Sequence, residues 1–470
     1  VELLVHRVSY LSSSLLRVIF GFRKIQLEAN PTVQKNILKR VERIVFGSEG
    51  ITAAEAAEKS DLKRLVRRSY AQYLAQESMH ESKLIWILSN IAYIAALPAL
   101  IVLVLLKSIK FFLFAGPTEA KKDYLCVNGR GKLKAYAEEI FNQRSFECVY
   151  PREMVLFLDG WLFFLITIAV YPRLLFAPRL LCNYLRWLSY FSAFVKRHEP
   201  KSILTFFEGV PCSSMITAYL RFKGVKHINA QHGELFAWDA STAFAEFDQF
   251  YVWSRYFREI MEAKHCRAGK FVEVAMPEHS ELYQARMIKK DRLRRRLLLP
   301  LQPSLALSPE CLSLIQSVIE SLPDSWDVMV RPHPADLTNV KQVVRELRLF
   351  IKEHGLRHRV MMESPRKTGL VESLKRTEVV IGTFGAVMLE GWLAGCKIIH
   401  MPYLVHPSTV MERYDSSPNV VYIDSATTPD RIREFVCTAP VLEGAEDERV
   451  RYLFSTNLIK ISARSRVYEG

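Results

Sequence analysis

From Ser202 onward, short apolar runs alternate with helical stretches, and small-residue turns separate them. Ile203 to Phe207, Val225 to Ala230, Tyr251 to Trp253 and Phe271 to Ala275 read as strands, with a helix from Ser213 to Phe222 closed by Gly224. A second series follows. Its strands are Leu297 to Leu301, Asp327 to Arg331, Val360 to Met362, Val379 to Gly382, Lys397 to His400 and Val420 to Ile423, with helices between them. Neighbouring parallel strands need a crossover, and a helix supplies it, so this alternation predicts parallel sheets covered on both faces. An earlier unit of the same kind opens at Tyr124 to Val127 and runs through Asn128-Gly129-Arg130-Gly131 into a helix. The fold class is α/β, and 470 residues exceed one ordinary core.

The amino-terminal part reads differently. Residues 1–82 are helical and amphipathic, and Ser60 to Arg68 carries a basic helical face. A solvated surface and a membrane-surface face are the two readings of it. Leu84 to Leu106 contains no charge and lies between Lys83 and Lys107. A helix of that length spans a hydrocarbon core of about 30 Å, which predicts a membrane segment over 84–106. Met154 to Tyr171 is apolar again, and a membrane-contacting helix and a core helix both fit it.

The net charge of +15 favours anionic partners. With no zinc-finger spacing and no aromatic RNA-binding strand, no nucleic acid is expected, which leaves a membrane surface and phosphorylated substrates. The basic stretch Ala285 to Leu299 is a solvated linker or helix, or a contact for an anionic lipid or acceptor. The eight cysteines are scattered without a CxxC and read as buried thiols in a reducing compartment.

Ligands of open α/β sheets bind at the carboxyl ends of the strands, and the candidate site residues fall at such ends. Arg331-Pro332-His333-Pro334 follows one strand; an imidazole there can donate to a phosphate. Gly382-Thr383-Phe384-Gly385 leads into a helix whose amides and dipole suit an anion, and Glu390 lies two turns on, placed to accept from a ribose. Gln231-His232-Gly233-Glu234 ends another strand, with His232 or Glu234 as acid or base and Gly233 allowing a tight turn. Phe207-Glu208-Gly209 places a carboxylate beside aromatic rings, where its pKa can rise. Gly129 and Gly131 suit close backbone approach to a ligand.

Gln231-His232-Gly233, Val274-Ala275-Met276-Pro277, Arg331-Pro332-His333-Pro334 and Gly382 to Gly391 together resemble the GT-B superfamily of glycosyltransferases. The resemblance covers roughly Tyr124 to Gly470. It is closest to the CMP-sugar (sialyl-, polysialyl- and Kdo-) transferases and the CDP-glycerol glycerophosphotransferases. It implies two Rossmann-like domains facing across a cleft, with donor phosphate contacts on His333 and Thr383. The catalytic base falls on Glu208, where only the second position of an acidic-acidic-Gly motif is matched, or on His232, in a His-Gly pair like that of the teichoic-acid enzymes.

The expected organisation is a helical, membrane-associated region over 1–118, an acceptor domain over 119–270 and a nucleotide-binding domain over 271–470. The expected activity is metal-independent sugar transfer, without a cofactor, from a nucleotide donor to a glycan or lipid-linked acceptor. The enzyme would be membrane-associated, with its catalytic domains cytoplasmic. A nucleotide-sugar 2-epimerase, a CDP-glycerol-type transferase and a non-catalytic scaffold are the alternatives.

Overall fold

A computed structural model of the chain describes residues 31–78, 83–114, 121–129, 132–141, 144–151, 153–233, 240–287, 295–301, 309–332, 338–355, 359–365, 367–382, 385–401, 417–423, 427–438, 440, 450 and 453–454. The described residues divide into two compact units, one within 1–252 and 257–273, the other within 253–256 and 274–470.

The first unit begins with helices α1 (Pro31–Phe46), α2 (Gly50–Ala57), α3 (Asp61–Glu77) and α4 (Lys83–Phe114). Then come β1 (Tyr124–Val127), α5 (Lys132–Ile140), β2 (Glu147–Val149), α6 (Leu158–Val170), a 3-10 turn over Pro172–Phe176 and α7 (Pro178–His198). It continues with β3 (Ser202–Thr205), α8 (Ser213–Phe222), β4 (Lys226–Ala230), β5 (Glu246–Val252), α9 (Arg255–Ala263) and β6 (Arg267–Glu273). Its six strands are all parallel, in the order β2-β1-β3-β4-β5-β6. The strand read from Phe271 pairs with β5 and forms the edge of this sheet.

In the second unit, α10 (Pro277–Met287) precedes β7 (Arg295–Leu301), α11 (Pro309–Ser321), β8 (Trp326–Pro332), α12 (Thr338–Glu353) and β9 (Arg359–Met362). It closes with α13 (Leu370–Lys375), β10 (Val379–Gly382), α14 (Ala386–Leu393), β11 (Lys397–His400), β12 (Val420–Tyr422) and α15 (Pro429–Cys437). These strands are also parallel, ordered β12-β11-β10-β7-β8-β9. Leu297, Leu299, Val328, Val330, Val379 and Ile381 are fully buried and meet α11 and α12 in one core. This burial on both faces explains the near-continuous apolar runs.

Both sheets reverse their order of winding at one place, between β1 and β3 in the first and between β7 and β10 in the second. At such a switch point the crossovers leave in opposite directions, and the carboxyl ends open a crevice.

The basic face of α3 is largely taken up by contacts within the unit, with the Lys63 side chain still 43% exposed. Ser60 caps the helix by accepting from the Lys63 amide at 3.3 Å. Arg68 is fully buried, donates to Glu55 at 2.6 Å, lies 3.2 Å from Glu246 and donates to the carbonyl of His265 at 2.8 Å. Arg64 pairs with Glu246 and Asp61. These arginines join the amino-terminal helices to the sheet, since a buried charge is stable only when paired and hydrogen-bonded.

Within α4, Ile87–Leu113 is long and apolar enough to cross a bilayer by length and composition, and only 17% of its most apolar window is buried. The second apolar segment is two-sided: Phe163, Phe164 and Thr167 of α6 are buried, while Leu158, Leu162 and Leu165 are exposed. Among the described cysteines, Cys126, Cys182, Cys212, Cys266 and Cys396 are buried thiols, Cys148 is partly covered and Cys437 is exposed.

Candidate functional site

Glu208 and His232 are 24 residues apart, but they follow β3 and β4, which are neighbours in the first sheet. Parallel strands lie about 4.8 Å apart, so the turns beyond them bring the two side chains together. The His232 ring Nδ1 lies 2.6 Å from Glu208 Oε1, and the His232 backbone N–H donates to the same oxygen at 3.2 Å. Asn229 Nδ2 donates to Glu208 Oε2 at 3.3 Å. Glu208 is 3% exposed, whereas the His232 side chain is 54% exposed. The carboxylate is therefore an inner group and the imidazole an outer one.

Burial alone would raise the Glu208 carboxyl. The His232 ring, with the backbone N–H groups of Glu208 and His232, outweighs burial and holds the carboxyl below its ordinary value. It is ionised at neutral pH. The rise expected for a carboxylate beside aromatic rings is thus reversed by its imidazole partner. Phe206 meets the His232 ring edge-on, with centroids 6.5 Å apart.

The pair is supported from two directions. Asn229 accepts from the Phe207 N–H at 2.6 Å and from Thr205 Oγ1 at 3.0 Å, which ties the end of β3 to β4. Gln72 of α3 donates to the carbonyl of Glu208 at 3.0 Å and to that of Ser241 at 2.7 Å, and accepts from Ser213 Oγ at 3.2 Å. Gln76 donates to the carbonyls of Gly209 at 2.8 Å and Ser241 at 3.0 Å. Sequence reasoning missed these amides. The legible signal was Asn229, a polar residue between the apolar Ile228 and Ala230 at the end of β4.

The remaining candidates have other surroundings. Gln231 Nε2 donates to the Gly233 carbonyl at 2.8 Å. Gly233 does not have positive φ, and a Cβ there would meet nothing within 4 Å, so the turn does not need glycine for its geometry. Gly129 is a steric requirement: a Cβ would lie 2.6 Å from Cys126 Sγ and 2.9 Å from Cys148 Sγ. Glu234 and Gly131 lie outside the described residues.

In the second unit, Arg331 is buried and binds Glu363 at 2.5 Å and the Thr368 carbonyl at 3.0 Å. Its guanidinium thus has protein partners at the end of β8. Gly382 ends β10, where a Cβ would lie 2.8 Å from Met388 Sδ, and Gly385, at φ +122°, opens α14. Glu390 is buried, 3.8 Å from His279 Nε2, and His279 meets Trp253 edge-on at 4.8 Å. His333, Pro334, Thr383 and Phe384 lie outside the described residues. The described strands that lead to them, β8 and β10, flank β7 and end on the same carboxyl edge.

No family model matches the sequence, and no curated protein matches it. Among solved structures, the chain is similar to HepE from Anabaena in complex with UDP, at 12% identity and a TM-score of 0.43, over 74% of this chain and 100% of that one. It is similar to a UDP-GlcNAc 2-epimerase from Methanocaldococcus jannaschii in complex with UDP-GlcNAc and UDP, at 10% identity and a TM-score of 0.41, over 70% and 97%. It is also similar to the wall teichoic acid polymerase TagF soaked with CDPG, at 10% identity and a TM-score of 0.39, over 77% and 90%. These values describe a broad likeness of shape; the strand order and the paired side chains are properties of this chain itself.

Proposed function

We propose that the chain is a membrane-associated glycosyltransferase of GT-B type, which moves a sugar from a nucleotide-activated donor to a polysaccharide or glycolipid acceptor. The observation that carries this reading is the Glu208–His232 pair at the carboxyl edge of the first sheet. Glu208 is too buried to meet a substrate and acts by holding the His232 ring and stabilising its protonated form. His232 takes the proton of an acceptor hydroxyl as that oxygen attacks the anomeric carbon. The bond from the anomeric carbon to the donor phosphate breaks, and the nucleotide leaves with the electron pair.

Charge builds on the leaving phosphate, and fixed donors stabilise it best where they need no reorganisation. His333, Thr383 and the amides opening α14 are assigned that task on the motif resemblance; β8 and β10, the described strands that precede these motifs in sequence, end on one edge of the second sheet, at and beside its switch point. Arg331, bound to Glu363, positions the start of that segment. Glu390 is assigned to the donor ribose. The proposed step uses no metal, in keeping with the lack of a DxD motif in the sequence. The preference for a cytidine donor rests on the motif resemblance.

Thermal-shift titration of the full chain with CMP, CDP, UDP and GDP identifies the nucleotide, with a cytidine-selective shift expected. Donor turnover is then followed with and without acceptor glycan. Acceptor-dependent nucleotide release supports transfer. Conversion of the donor alone to its 2-epimer overturns it in favour of the epimerase reading.

A further inference from the structure

The two elements that flank α4 belong to the same α/β unit. On one side, α3 is fixed to the sheet layer by Gln72 on the Glu208 carbonyl and by Ser69, whose Oγ accepts from the Met215 N–H at 3.0 Å. On the other side, β1 is paired between β2 and β3. The helix is docked to that unit at both ends. Near its start, Asn90 accepts from Tyr73 at 3.3 Å, and the Tyr93 carbonyl faces Cys182 at the beginning of α7. Near its end, Ser108 accepts from the Leu156 N–H at 3.0 Å, and Arg197 at the end of α7 lies 4.9 Å over the Phe111 ring.

From Asn90 to Phe111 the docked length is about 31 Å, the thickness of a whole hydrocarbon core. A crossing helix would carry α7 into that core, with Arg186, Lys196 and Arg197. It would also carry in the irregular segment before β1, where the Lys122 N–H meets the His198 carbonyl. Charges and irregular backbone are too costly there.

The side of α4 turned away from the unit is apolar, with Ile91, Ile94, Leu106 and Phe112 each more than half exposed. It meets α6 at a corner, where Phe111 and Phe112 contact Phe157 at 5.5 and 5.3 Å. From that corner Leu158 (83% exposed), Leu162 and Leu165 continue the surface along α6, and Phe176 (80% exposed) follows in the next turn. The acidic groups beside it, Glu153 and Asp159, are paired with Arg197 and Lys223, and Lys110 is exposed at its rim. On a chain of net charge +15, an apolar surface with a basic rim is complementary to an anionic bilayer.

We infer that the amino-terminal unit is monotopic: α4 lies in the plane of the bilayer instead of crossing it, and shares the lipid-facing surface with α6 and the Phe176 turn. This rests on the membrane association proposed above and specifies its geometry. It places the Glu208–His232 pair and both flanks of α4 on one side of the membrane.

The full chain, with Ser78→Cys and Lys121→Cys in a Cys437→Ser background, is reconstituted into sealed vesicles of phosphatidylcholine and phosphatidylglycerol. It is treated with a membrane-impermeant maleimide, and the intact mass is read relative to the background without the two new thiols. Ser78 and Lys121 are exposed and flank α4. Molecules should gain two labels or none. A population with one label, gaining the second only after detergent, overturns the inference. Failure to float with vesicles at all sinks membrane association itself, whereas floating with single labels sinks only the in-plane geometry. In a second arm, an environment-sensitive dye at Phe176→Cys should be quenched by acyl-chain nitroxide lipids. Dye self-quenching without lipid quenching would make the surface an interface between copies and overturn the lipid assignment.

Discussion

Replacing Glu208 by Gln keeps the shape of the inner side chain and removes its charge. In the wild type, Glu208 Oε1 lies 2.6 Å from the His232 ring, and the carboxylate is buried. Unit charges about 4 Å apart interact by about 4 kcal/mol at an effective dielectric of about 20. His232 is 54% exposed, so water screens part of this and leaves about 2–3 kcal/mol. That energy is realised as the ring becomes positive, in the transition state of proton removal. Glu208→Gln should therefore lower kcat by roughly 30- to 150-fold with little change in KM for the donor. The assay is acceptor-dependent release of the nucleotide selected by thermal shift, with the melting temperature as a control for folding. A variant within threefold of wild type, or one that loses donor binding instead of turnover, would refute the division of labour between the two residues.

Gln72→Leu leaves the carbonyls of Glu208 and Ser241 without their shared donor; kcat should fall about tenfold while the donor KM holds, and Gln72→Glu should not restore it, because a carboxylate cannot donate. Gly129→Ala places a methyl 2.6 Å from Cys126 Sγ and should destabilise the chain by about 1–3 kcal/mol in urea unfolding, with partial rescue by Cys126→Ala. His227 lies between Thr205 Oγ1 at 3.0 Å and Thr217 Oγ1 at 2.7 Å, and burial, with Arg221 nearby, pushes its pKa down to about 3. The unfolded chain takes up a proton there near pH 6.5, before the folded one does, so this contribution is fully present above about pH 6.5. It is lost as pH falls towards 3, at up to about 1.4 kcal/mol per pH unit, and His227→Gln should flatten that slope in melting curves.

The parallel alternation was legible because burial on both faces leaves apolar runs that small-residue turns interrupt. Tyr124–Val127, Val379–Gly382 and Lys397–His400 fall where those runs predict them. The first half of β5, Glu246-Phe247-Asp248-Gln249, was not legible. Its acidic residues look like a loop until Arg64, Arg68 and Arg221 neutralise them, and those partners lie far away in sequence. α10 was missed for a different reason: Pro277 reads as a terminator after an apparent strand, yet it stands at the first position of a helix, where its fixed φ fits. Glu208 and His232 stood out singly as strand-end residues. Their partnership was invisible, because only the pairing of β3 with β4 closes the 24 residues between them. Gln72 carried no signal at all, since a glutamine on an amphipathic helix reads as surface until that helix is packed.

The proposed transfer requires Glu208 and His232 to act as one unit on the acceptor hydroxyl. The direct measurement is the turnover number of Glu208→Gln, His232→Gln and the double variant, taken at saturating donor and compared as a cycle. The double variant should be no slower than His232→Gln alone, because the carboxylate has nothing to act through once the imidazole is gone. Losses that multiply across the two positions would show independent roles and contradict a single Glu208–His232 unit.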